Sequence, residues 1–571
     1  MGVYSALNIG STALLASQKA LEVVGNNIAN AATPNYSRQD VVLIPGPSLG
    51  TELKIGTGVK IDAIMRRFDQ AVESRLRCAI GDATSQQIQQ QVLDRVESLY
   101  NETSDADLSS ALAAFFNGFN DLANDPTNDG VRTIVIERAR GLVNQVTRLR
   151  DGMDGLRQEL DGMAQTTVGE INRLAGEIAD LNIQVITAER GDLGSAPGQR
   201  DERDARLREL AELINIRTVE QESGAVNVIV GNQILVDGRL GRELTYRTVD
   251  DRGLGVSEIR FSDNDELVSP TSGALQGYLD GRDAWVGQQV DSLDQMVQSL
   301  IVEVNALHAE GTGKEMPQTL RSDQFVLDAT AALDSADAGL HNTPVNGSFL
   351  LHVTNSVSGL TETLIIDVDL DGVGADDSLQ DIATKINTLA ALEVPPLAVA
   401  ASVDSTGHLT IAGTSAEMRV SFSDDSSRLL AVLGMNGLFT GYDSLTIGLS
   451  DDLVANPSLL AAGLSGTVGD NANSLRLASL ADEPIDALNG RNLLDYHNQA
   501  VTRMAVNTAA ARSASNAADA FMATMNDERE AISGVNLDEE AVNLIRYQKM
   551  YSAAARFISV MADLMDMMLE I

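Results

Sequence analysis

The stretch from Ser533 to Ile571 constrains the fold of this chain more than any other. Stepping alternately four and three residues from Leu537 meets Ala541, Leu544, Gln548, Tyr551, Ala555, Ile558, Ala562, Met565 and Leu569. This is the seam of a heptad helix. Asn536 is placed to cap it, and Asp538, Glu539 and Glu540 put negative charge in its first turn, where the helix dipole favours it. No Gly or Pro follows, so the helix should run for about 50 Å at ~1.5 Å per residue. A one-sided seam of that length requires a partner helix.

The partner is expected at the other end of the chain. Leu7, Leu14, Leu21 and Ile28 recur at heptad spacing, with Ser11, Gln18, Gly25 and Ala32 at the intervening seam positions. Two ordinary core helices of one bundle would give the same pattern. Against that reading, Lys19 and Glu22 are the only charged residues between Met1 and Ser37. A helix whose outer face is Ser, Thr, Asn, Gln, Gly and Ala has no charged solvent side, which suits packing against other subunits.

Two motifs flank these helices. The first is Asn26-Asn27-Ile28-Ala29-Asn30 followed by Thr33-Pro34-Asn35-Tyr36-Ser37-Arg38-Gln39; the second is Ser533-Gly534-Val535-Asn536-Leu537-Asp538-Glu539-Glu540 with Leu544, Arg546, Tyr547 and Gln548. Together they resemble the axial proteins of the bacterial flagellum, in particular the hook-associated FlgK family of the hook-filament junction. Two positions depart from the family pattern, Ala32 where Asn is usual and Asn35 where Gly is usual. Asn tolerates the left-handed backbone better than most residues, so the turn after Pro34 should survive. Further segments similar to the family are Gly56 to Val59 with Arg66, Phe68 and Asp69, then Phe115 to Pro126, Asn305 to Gly311, and Gly469 to Asn471.

The chain has 571 residues, enough for three or four domains, with 41 basic against 81 acidic residues and a formal net charge of -40. That balance argues against a nucleic-acid partner, which requires clustered Lys and Arg. Cys78 is the only cysteine, so no intramolecular disulfide can form, and its helical setting predicts a small buried residue. No membrane span and no cleavable signal are legible. Composition alone reads as cytoplasmic; the resemblance implies instead export through the flagellar type III apparatus and residence in the extracellular flagellum.

Between the ends the pattern alternates. Residues 41–65 read as short β runs, and about 70–214 as a helical bundle in which Val168, Ile171, Leu174, Ala175, Ile178, Leu181 and Val185 share one face. Residues 216–270 alternate with period two, as in Val226, Val228 and Val230 before the Gly231-Asn232 turn. From Gly273 to Ala309 the helical pattern returns. Phe349, Leu351 and Val353, then Ile366, Val368 and Leu370, a helix capped by Ser378 and a turn at Asp404 to Gly407 predict an inserted α+β domain over 323–450. The expected fold is therefore mainly α with β-rich parts. Its segments are 1–40, a coiled-coil helix paired with 533–571; 41–322, a helical bundle with hairpins; 323–450, the insertion; and 451–532, the bundle's return.

Candidate chemistry is sparse. Gly46-Pro47-Ser48-Leu49-Gly50 spells G-x-S-x-G, but the Gly-punctuated sequence after it does not open the helix that a nucleophile elbow requires. Asp367, Asp369 and Asp371 begin like a calcium loop that then fails, with Gly374 in place of an apolar residue and Ser378 in place of the bidentate Glu. The same aspartates also fit the wet face of an edge strand. The five histidines are scattered, and His308 reads as packing or a helix-end contact. No catalytic residue or cofactor is predicted.

The resemblance implies a structural axial component that self-assembles as a homo-oligomeric ring. Expected neighbours are the hook protein and a second junction protein, with a cytoplasmic export chaperone on the C-terminal helix. The assembly residues it points to are Leu7, Leu14, Leu21, Ile28, Asn30, Thr33, Pro34, Tyr36, Arg38, Leu537, Leu544, Tyr551, Ile558, Met565 and Leu569. The alternatives are a hook- or filament-type axial protein, or an exported surface protein whose insertion binds ions or catalyses a reaction.

Overall fold

A computed structural model describes residues 2–49, 55–100, 107–190 and 194–569. The chain divides into two compact units, one of residues 1–93, 157–285 and 508–571, the other of residues 94–156 and 286–507.

In the first unit the N-terminal helix, Gly2–Ala29, packs along the C-terminal helix, Leu537–Leu569. The pair is antiparallel, since Gly10 lies against Phe557 and Ile558 while Asn27 meets Glu540. A hairpin of Gln39–Pro45 and Val59–Arg66 leans on the N-terminal helix. Its second strand carries one extra residue at Asp62, opposite the Val42–Leu43 step, a bulge that bends the ribbon. Gly58 makes the approach possible: its φ is +107°, and a Cβ there would stand 2.2 Å from Thr12 Oγ1.

The rest of this unit joins helix to sheet. A four-stranded antiparallel sheet, Arg217–Glu220, Val226–Val230, Gln233–Asp237 and Leu240–Gly241, and a hairpin, Leu244–Asp251 with Leu254–Phe261, cover the helical segments around 164–179 and 207–213. Val168, Ile171, Leu174, Ala175 and Ile178 form one wall of that core, as their spacing requires. Val226, Val228 and Val230 form the other, and Leu275 closes it. Asn182, fully buried, donates to the carbonyls of Val226 and Gly238 and accepts from Val226 N.

The helical run expected from Gly273 to Ala309 is present, with one wider segment inside it. Helices Ala274–Asp280 and Gly287–Ala309 are joined by a π turn, Gly281–Val286. The wider turn carries buried Arg282 onto Asp161 and the Ser257 carbonyl, a tertiary cause invisible to sequence period.

The second unit contains helix Leu108–Asn124, capped by Asp107, whose Phe115, Phe116, Phe119 and Leu122 are all buried. Residues Ala309 to Met435 close a hydrophobic core between two three-stranded sheets and helix Leu379–Leu392. Ser378 and Asp381 form the full capping box at the start of that helix, and Phe349 meets Phe422 edge-on with centroids 5.9 Å apart.

His308 is the polar pin of this unit. Its Nδ1 lies 2.6 Å from the Asn436 carbonyl and its Nε2 accepts from Ala461 N at 3.1 Å. A carbonyl on one nitrogen and an N–H on the other admit only the neutral Nδ1–H ring. Complete burial, partly offset by the Asn436 contact, pushes its pKa down to about 4. The unfolded chain therefore takes up a proton that the folded unit refuses, and stability falls as pH drops from about 6.5 towards 4. Between pH 7 and 5 the loss should be about 2 kcal/mol. Denaturant unfolding of the native chain and His308→Gln at both pH values checks it: the variant's pH-dependent difference should shrink by that amount.

Candidate assembly surface

The N-terminal motif folds around one amide. Asn27, buried on the last turn of its helix, donates from Nδ2 to the Gln39 carbonyl at 2.9 Å and accepts Gln39 N at 3.0 Å through Oδ1. The same Oδ1 accepts the Tyr36 hydroxyl at 2.8 Å, and the same Nδ2 reaches Glu540 Oε2 at 3.2 Å. Thr33 and Asn30 hold the intervening turn, Thr33 Oγ1 donating to Asn30 Oδ1. Asn35 takes φ +64°, the left-handed conformation expected of the residue after Pro34. Burial, with the carboxylates of Asp201 and Glu540 nearby, pushes the Tyr36 phenol up to about 12.

Beside this clamp lies a ladder of ion pairs. Arg38, almost fully buried, pairs with Glu539 and, at 2.6 Å, with buried Glu540; its backbone N donates to the Ser533 carbonyl. Arg66 pairs with Asp201 at 2.9 Å and Asp204 at 2.6 Å, its guanidinium stacked 4.3 Å from the Phe68 ring centre. Glu73 receives both Arg208, through two bonds of 2.9 and 3.0 Å, and Arg529 at 3.0 Å, with Arg77 one turn away. Arg208 also donates to Asn35 Oδ1. The root of the helix pair is thus tied to the hairpin, helix Pro197–Leu213 and the end of helix Leu493–Ser533. A polar cleft of about 590 Å³ opens here, lined by Thr33, Pro34, Tyr36, Arg38, Arg67 and Arg529 among others.

The seams are rotated from their expected positions. On the C-terminal helix Leu544, Ile558 and Met565 are at least half-buried, as are Ala555 and Ala562, but Leu537, Ala541, Gln548 and Tyr551 are exposed. Glu540, Tyr547, Ala554 and Met561 take the inner column instead, because Glu540 turns inward to Arg38 and Asn27. The side chain of Leu569 lies outside the described residues. On the N-terminal helix the buried face is Gly10, Ala16, Ser17, Ala20, Val23, Val24 and Asn27. Leu7, Leu14 and Leu21 flank it half-buried, and Ile28, Ser11, Gln18, Gly25 and Ala32 are exposed. Small residues win the inner face because the partner comes close: a Cβ on Gly10 would sit 2.7 Å from Ile558 Cγ1.

The pair therefore leaves apolar side chains outward, Leu15 and Ile28 on one helix and Val542, Ile545, Phe557, Val560, Met567 and Met568 on the other. The two charges of the N-terminal helix, Lys19 and Glu22, pair with each other at 2.8 Å.

Other sequence candidates fare differently. Asp369 and Asp371 do approach each other, but with Asp376, their carboxylate oxygens within 4.8 Å, and Asp367 stands apart on its strand. Asp376 follows Gly374, beyond the point where the calcium-loop pattern fails, so the reading frame hid it. Ser48 and Leu49 form a two-residue strand pairing with Ile55 and Gly56, not a strand-to-helix elbow; Gly50 lies outside the described residues. Cys78 is exposed rather than buried, since Val72, Leu76 and Ala79 face the core and Cys78 points away from it. Among the described residues no helix is long and apolar enough to cross a membrane.

Comparison with known proteins agrees with the terminal pair and the bundle alike. Residues 7–36 match the flagella basal body rod protein family and residues 530–571 the C-terminal family of the flagellar basal body rod FlgEFG proteins. Residues 93–319 match the helical domain of flagellar hook-associated protein FlgK. The chain is 25% identical to flagellar hook-associated protein 1 of Salmonella typhimurium, over 99% of this chain and 100% of the relative. It is 24% identical to that of Escherichia coli K12 and 23% identical to that of Bacillus subtilis 168, again over 99% of this chain. The solved flagellar hook junction protein FlgK from Burkholderia pseudomallei shares the fold, with a TM-score of 0.53 at 14% identity over 81% of this chain and all of that one. Both terminal helices, the helical domain and the full length thus agree in their similarity to the FlgK-type flagellar hook-associated proteins, within the axial group of the flagellum.

Proposed function

We propose that the chain joins hook to filament as a ring of identical subunits, built through its terminal helix pair, and performs no catalysis. The observation that carries this is the uncovered apolar exterior of the pair. Phe557, Val560, Met567 and Met568 are each 41–65% exposed in the single chain, more contiguous apolar surface than one helix leaves to water without a partner. The junction location is taken from what the solved relative is called. The match over 93–319 favours a junction protein over a hook or filament subunit. Leu7, Leu14, Leu21, Ile28, Leu537, Tyr551, Met565 and their neighbours are the proposed contact residues, with Thr33 and Pro34 at the cleft below.

Before assembly the same surface needs cover. We assign the Met-rich end of the C-terminal helix to an export chaperone, since unbranched Met side chains adapt to a partner's groove. Export through the type III apparatus and a second junction protein on the filament side complete the proposal. An epitope tag in the exposed turn at Val357 tests the location: gold-labelled antibody on intact flagella should mark a single band where hook meets filament. Label along the filament or over the hook would assign the chain to one of those structures instead.

A further inference from the structure

The buried face of the N-terminal helix is unusual in what it lacks. Apart from Val23 and Val24 its buried apolar side is Gly10, Ala16, Ser17 and Ala20, and the partner helix turns in Ala554, Ala555 and Ala562 beside Leu544, Tyr547, Ile558, Met561 and Met565. Gly10 is tight against Phe557 and Ile558, but apolar residues recur at heptad spacing on both helices, so one such contact discriminates weakly against a slip of one heptad, about 10 Å. Apolar packing leaves the register of such a pair open.

We infer that the buried cluster of Asn27, Arg38 and Glu540 is a register key, which fixes how far and in what rotation the terminal helices overlap. Both amide atoms of Asn27 are spent on Gln39 N and O, on Tyr36 and on Glu540 Oε2. Glu540 is 1% exposed and has Arg38 at 2.6 Å. Slipped by a heptad one way, the helices would bring Tyr547 to Asn27 in place of Glu540; slipped the other way, Asn27 would lie beyond the first residue of the C-terminal helix, Leu537. Glu540 and Arg38 would then be buried apart, the arrangement a protein interior tolerates least. The key also explains why Glu540, and not Ala541, occupies the inner column, and hence which apolar residues are left outward. It rests on the proposed role of the pair in assembly only for its purpose; its test is read within one chain.

In a Cys78→Ser background, Ser11→Cys, on the exposed flank beside Gly10, is combined in turn with Phe557→Cys, whose native side chain lies against Gly10, and with Leu564→Cys or Met550→Cys, the positions brought there by a heptad slip either way. The full-length chain is crosslinked with a short bifunctional thiol reagent, and intramolecular products are separated from dimers by size. With the key intact, crosslinking should occur at 557 alone. In Asn27→Leu/Arg38→Met/Glu540→Met, the slipped products should rise about tenfold relative to the native one while helix content stays unchanged, since apolar replacement of a whole buried ion pair preserves folding. Glu540→Gln keeps oxygen for Asn27 and should crosslink at 557 only. The inference is overturned if the triple variant stays at 557, if its terminal helices lose protease protection altogether, if Glu540→Gln slips as far as the triple variant, or if the intact chain crosslinks equally at all three pairs. Loss of ring assembly with native crosslinks would count against the proposed function alone.

Discussion

Ile558→Asp is expected to strip filaments from the hook while leaving the amount of secreted chain unchanged. Ile558 is half-buried, its Cγ1 facing Gly10 so closely that no Cβ fits between them. A carboxylate there would face the neighbouring helix without a cation, and the lost apolar contact plus desolvation should weaken the pair by roughly 3 kcal/mol. Leu544→Asp, half-buried two heptads from Ile558 along the same seam, should act alike. Both are compared with a variant in which residues 323–450 are replaced by a Gly/Ser linker, which should keep its filaments because the contacts that hold the terminal pair together lie outside that segment. Filamented cells are counted by electron microscopy, and monomeric filament protein is measured in the medium. Normal filaments on either Asp variant, with loss on the linker variant, would place the junction in the insertion.

Glu73→Ala should give the largest loss of stability in the first unit, about 3–5 kcal/mol. The carboxylate is buried, and Arg208, Arg529 and Arg77 converge on it with side chains 5–11% exposed. Alanine removes the anion and leaves three guanidinium groups facing one another, so repulsion adds to the stranded charges. Replacing only Arg529, by methionine, leaves Glu73 still paired with Arg208 and should cost much less. Denaturant unfolding gives the free energies. Trypsin should cut near Arg208 or Arg529 in Glu73→Ala before it does so in the native chain, and equal stability of the two variants would contradict this account of the hub.

Local structure was largely legible in the residues because local rules generate it. Period-two Val226, Val228 and Val230 form a strand, Ser378 caps its helix, and Asn35 adopts the left-handed turn. Helix pairing at the ends was legible from heptads for the same reason. What escaped depends on partners distant in sequence. Heptad arithmetic gives adjacent columns equal standing, so nothing in 537–569 alone could say that Glu540 turns inward; Arg38 decides that. The run Asp538 to Glu540 reads as dipole-compensating charge, which conceals a buried carboxylate. The hub at Glu73 draws arginines from three helices, and the π turn at Gly281 answers to Asp161, more than a hundred residues earlier. The charged run Arg200 to Asp204 reads in sequence as a solvated helix face, yet Arg200, Asp201, Arg203 and Asp204 are all buried among these ion pairs.

The narrow inner face of the N-terminal helix has an evolutionary consequence. Gly10, Ala16 and Ala20 are held by the space inside one molecule, so drift there is checked as soon as a single chain folds. Leu7, Leu14 and Leu21, half-exposed on the flank, answer to whatever stands beside them. Substitutions on the two faces are therefore filtered at different moments, the first in each newly made chain and the second only when neighbours meet. Along this helix, small residues should record the history of the fold, and the leucines the history of the company it keeps.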